Sequence, residues 1–98
     1  MDEIERRRME RDIAERDREQ KITQRIIEIN EASKALAVDP NNEGQIEKLQ
    51  LLCTRAASTI WNVDKERYSY FQKADASRLR SVLLAVKKDF PQISIDPP

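Results

Sequence analysis

"ITQRIIEINEASKALAVDPNNEGQIEKLQLLCTRAASTIWNV" (residues 22–63) carries two apolar rows on either side of one turn. In the first row, Ile22, Ile26, Ile29, Ser33 and Leu36 alternate spacings of four and three, the pattern of a helix that packs along one seam. In the second, Ile46, Leu49, Cys53, Ala56, Ile60 and Val63 obey the same rule; Arg67, Tyr70 and Ala74 continue it, and Leu52 and Phe71 widen it. Between the rows lies "VDPNNEGQ" (38–45). Either Asp39 ahead of Pro40 or Asn42 with Gln45 can cap the second helix there. A connection this short sets the two helices antiparallel.

The rest of the chain agrees with an all-α fold. Its 98 residues contain one glycine and four prolines, at Pro40, Pro91, Pro97 and Pro98, too few breakers for the frequent turns of a sheet protein. "YSYFQKADAS" (68–77) contains neither Gly nor Pro, so one helix could run on to about residue 90. A break is preferred, with Asp75 or Ser77 capping a third helix that carries Leu79, Val82, Leu83, Val86 and Phe90 on one face. Folded back, that helix covers the open side of the hairpin. Pro91 ends it. Ile93 and Ile95 alternate in "QISID", which suits a short extended segment lying on the bundle, and Pro97–Pro98 reads as the start of a linker.

Upstream of Ile22 the character changes. Residues 1–21 hold eight acidic and seven basic side chains, interspersed in sign. Asp2–Arg6, Glu3–Arg7, Asp12–Arg16 and Asp17–Lys21 are i,i+4 pairs with the acid first, each adding about 0.2–0.5 kcal/mol to a helix. The register carried back from Ile22 places Glu19, Glu15, Asp12 and Arg8 on the seam, so apolar packing stops near Ile22. The division expected is a charged helical extension over 1–21, a hairpin with a third helix over 22–90, and an extended tail over 91–98. The architecture is an antiparallel hairpin or small three-helix bundle, coiled-coil-like, with a long charged first helix.

Composition also removes functions. There is no histidine and a single cysteine, so His-based catalysis, Cys–His nucleophiles and structural zinc sites of cysteine and histidine lack their residues. One glycine cannot build a phosphate-cradling loop. An enzyme of this kind would need cations converging on a dianion in an apolar cleft, whereas the arginines cluster where the core is thinnest. No catalytic, cofactor or metal residue is therefore assigned, and the chain is read as not an enzyme. A formal net charge of zero speaks against general affinity for nucleic acid or anionic lipid. No apolar run reaches the roughly 20 residues of a membrane span. Cys53 sits on the seam as a small buried residue, and a lone cysteine suits a reducing compartment, cytoplasmic or nuclear.

"KALAVDPNN" (34–42) resembles the end of a tetratricopeptide repeat and its following turn. The rest of that repeat's pattern is absent on both sides and no 34-residue period appears, so the likeness implies a way of ending a helix and nothing further.

Two surfaces remain as candidates. A core of some seventy residues rarely supplies more than about 3–5 kcal/mol, so association through the apolar seams is expected. The contact residues would be Ile22, Ile26, Ile29, Leu36, Ile46, Leu49 and Ile60, with Trp61 and Tyr68 as aromatic anchors on one flank. The chain is then a non-catalytic interaction module, a small subunit or adaptor that assembles as a homo-oligomer or with another protein. The alternative is nucleic-acid binding by Arg7, Arg11, Arg18 and Arg25, which fall within about 40° of one another on a helical wheel. Eight nearby carboxylates weigh against it.

Overall fold

The computed structural model describes residues 2–66 and 70–95. Among them are three helices and no strand: α1 (Glu3–Val38), α2 (Glu43–Asp64) and α3 (Lys73–Asp89). The fold is all-α, as expected, and each helix packs on the other two.

Asp2 caps α1 by accepting the Glu5 amide, and the acids of its first turn complement the helix dipole. No breaker interrupts the chain until Asp39 and Pro40, so α1 runs 36 residues, about 54 Å at 1.5 Å per residue. Of the two caps open for α2, the structure uses Asn42, whose side chain accepts the Gln45 amide at 3.1 Å. Arg25 meets Thr59 across the interface, and Glu28 lies near Leu52 and Arg55, which sets α2 antiparallel to α1.

The break expected within 68–77 is present but lies earlier, between Asp64 and Lys73, and is made by other means. α2 ends at Asp64, and Glu66 beyond it has φ +54°, the left-handed region usually left to glycine. The seam therefore does not continue. Arg67 lies outside the described residues, and Tyr70 and Ala74 are exposed. Neither Asp75 nor Ser77 is the N-cap of α3. Gln72 holds that place, and Asp75, three residues in, reaches back to accept its amide at 2.9 Å in a capping box.

The core is aliphatic. Ile22, Ile29, Ala32 and Leu36 of α1 meet Leu49, Cys53, Ala56, Ile60 and Val63 of α2, and Ala76, Leu79, Leu83 and Val86 of α3 close the third side. Ile93 of the tail is buried as well. Gln50 of α2 fixes that segment, accepting the Ser94 amide at 2.8 Å and donating to the Ser94 carbonyl at 2.7 Å.

One seam position is imperfect. Ser33 Oγ is buried without a hydrogen-bond partner, and its neighbour Ala32 takes the fully buried place. An unpaired buried hydroxyl costs about 1–3 kcal/mol, and Ser forms helix less readily than Ala. Ser33→Ala is therefore expected to raise stability by about 1 kcal/mol, read as a higher urea midpoint at unchanged slope.

Candidate functional site

The first surface to place is the expected contact set. Ile22, Ile29, Leu36, Leu49 and Ile60 are at most 2 % exposed inside the chain's own core, while Ile26, Ile46 and Trp61 are half-buried. Tyr68 lies outside the described residues. These seams were expected to face a partner; in the structure they face one another and α3. The physical reason is that α3 and Ile93 supply the third side the hairpin needs.

The arginine face is likewise divided. Arg7 pairs with Glu3 at 2.8 Å and Arg11 is exposed, but Arg18 and Arg25 turn into the bundle. The Arg18 Nε lies 3.2 Å from the buried Asp75 carboxylate. Arg25 donates to Thr59 Oγ1 at 2.8 Å and stacks on the Phe71 ring at 4.7 Å. The wheel angle was right; the end of α3 and the loop before it claim the two inner members. Of the four i,i+4 pairs expected, Glu3–Arg7 and Asp17–Lys21 are formed.

Contacts from the bundle reach further back along α1 than Lys21. The Tyr70 hydroxyl donates to Asp17 and, at 3.4 Å, to the Ala14 carbonyl. Arg78 donates to Glu19 at 2.8 Å. Tyr70 in turn sits under the Lys21 ammonium, 4.9 Å from the ring centroid. The hydrogen bond from Tyr70, then that from Lys21, holds the Asp17 carboxyl below its usual range, and the same bond pushes the Tyr70 hydroxyl up.

Residues 3–13 are thus left projecting from the bundle, exposed throughout, as the long axis of 58 Å against 26 and 18 Å reflects. On this stretch Met9 and Ile13 are 49 % and 60 % exposed. They share a line with Ile27, itself exposed, within about 40° at 100° per residue. Ile4 points to the opposite side. The stripe is narrow, apolar and bordered by both signs of charge. This stripe was not legible in the sequence because the regular apolar row that begins at Ile22 lies on the other, buried side of the same helix.

A second feature is a cleft of about 440 Å³ where α1, α2 and the segment before α3 meet, lined by Lys21, Gln24, Arg25, Glu28, Arg55, Tyr70 and Phe71. Burial, and then the like charge of Arg55, lower the pKa of Arg25, with Glu28 opposing. Cys53 is inert by contrast: burial pushes its thiol up to about 11. Among the described residues, no three carboxylates or cysteines gather to hold a metal ion, and no helix is long and apolar enough to cross a membrane. Set against known proteins, the chain matches no family model, no curated protein and no solved structure.

Proposed function

We propose that the chain is a non-catalytic helical interaction module whose bundle closes on itself and whose projecting α1 docks a helix of another protein. The observation that carries this reading is the exposed Met9–Ile13 stripe on a helix that has left its bundle. Three turns of helix are marginal alone in water, so this segment gains from being covered. Three apolar side chains within a narrow angle suit one partner helix with a narrow stripe of its own, and the mixed flanking charges suit a partner edge of mixed sign. A uniformly charged surface gains nothing from residues whose charges nearly cancel. A cytoplasmic or nuclear setting belongs to the same proposal, on the strength of a single buried cysteine. Nucleic-acid binding is the weaker reading, since Arg18 and Arg25 are engaged within the bundle.

The test uses the full chain as bait in native extract. A protein captured after nuclease treatment is expected to be lost with the double variant Met9→Glu, Ile13→Glu. It should be retained with Leu84→Glu, a substitution at a 63 % exposed position on α3. Equal capture by the double variant and the parent would refute docking through α1.

A further inference from the structure

The cleft at the junction of the helices has an unbalanced charge. Lys21, Arg25 and Arg55 line it, with Glu28 as the one carboxylate among its lining residues. Lys21 is paired with Asp17 at 3.0 Å, outside that lining. Neither arginine forms a salt bridge among the described residues, although Arg25 is half-buried and close enough to Arg55 to feel its charge. Glu28 lies beside both guanidiniums and offsets part of their mutual repulsion, which leaves one positive charge in excess for a bound anion to neutralise.

Arg25 is also held still. One of its nitrogens donates to Thr59 and its face lies on Phe71, and Phe71 meets Tyr70 edge to face with centroids 5.4 Å apart. Most of its five N–H donors stay available, and Arg55, exposed on the facing helix, contributes a second fork. Two forks from different helices match an acceptor with three oxygens around one centre better than a planar carboxylate. The rings beside them offer an apolar wall.

We propose that this cleft is a binding site for a small phosphomonoester, its dianion held between Arg25 and Arg55 and its ester group against Tyr70 and Phe71. This inference is independent of docking through α1 and leaves that reading intact if it fails. The probe is phenyl phosphate, titrated into the full chain at low ionic strength and followed by amide and guanidinium NMR shifts. Saturable shifts on residues of the cleft are expected. Arg55→Gln should weaken them about tenfold, the effect of one charge-assisted fork. Arg55 is exposed and forms no salt bridge among the described residues, so this variant is expected to keep the fold, with a urea midpoint close to that of the parent. Arg80→Gln serves as the control, since Arg80 pairs with Asp64 at 2.6 Å away from the cleft, and should leave binding unchanged. Phenyl sulfate, a monoanion of the same shape, should bind several-fold more weakly. Absence of saturation by about 10 mM, a limit equivalent to under 3 kcal/mol, would overturn the site. Equal weakening by Arg80→Gln, or equal binding of phenyl sulfate, would overturn it too, as the mark of diffuse surface charge.

Discussion

Ile60→Asp is expected to unfold the protein outright. Ile60 is 2 % exposed and belongs to the cluster of buried apolar side chains that all three helices supply. Placing an unpaired charge there costs several kcal/mol even after relaxation and water entry. A bundle this small has only about 3–5 kcal/mol to lose. Far-UV circular dichroism should show the helical signal collapse with no cooperative urea transition left. Leu51→Asp is the companion control: Leu51 lies on the same helix but is 72 % exposed, and its replacement should change the midpoint little. A cooperative transition surviving in Ile60→Asp would place Ile60 outside the core.

The second large effect belongs to a polar residue. The Asp75 side chain is 6 % exposed and does two jobs, accepting the Gln72 amide at the start of α3 and the Arg18 guanidinium from α1 at 3.2 Å. Removing a capping carboxylate costs about 1 kcal/mol. Breaking a buried ion pair by deleting one partner costs up to about 3–5 kcal/mol, less here because the Arg18 side chain keeps 21 % of its exposure. Asp75→Ala should therefore destabilise by about 2–4 kcal/mol, measured by urea unfolding. Asp75→Asn keeps an acceptor for the Gln72 amide and should lose roughly half as much. With Arg18→Met added to Asp75→Ala, the stranded cation disappears and part of the loss should return. If Asp75→Ala costs no more than a surface substitution, the Arg18–Asp75 link contributes nothing to holding α3 on α1.

The hairpin was legible because its information is local and repeated. Ile46 to Val63 never breaks period, and "VDPNN" punctuates only once. The helix break was half legible. Nothing in "YSYFQKADAS" announces a stop, since a glutamate in the left-handed region ends α2 where a glycine would have been visible. Asp75 was singled out for the right chemistry and the wrong position, because a capping box and an N-cap use the same side chain three residues apart. The seams were read correctly as packing surfaces, yet their assignment to a partner rested on a core that looked too small. Ile93, held down through Ser94 and Gln50, adds to it from beyond the 22–90 span in which the core was expected. The cleft was not legible at all. Arg25 and Arg55 are thirty residues apart, and only the hairpin brings them to one place.

Sedimentation equilibrium of the purified chain, run over a hundredfold range of concentration with helicity recorded alongside, tests most directly whether the bundle is complete in one chain. The account predicts the monomer mass of 11.5 kDa throughout, with a urea midpoint independent of concentration. A dimer that dissociates on dilution as its helicity falls would contradict it, and would return Ile22, Ile29, Leu49 and Ile60 to a seam between copies.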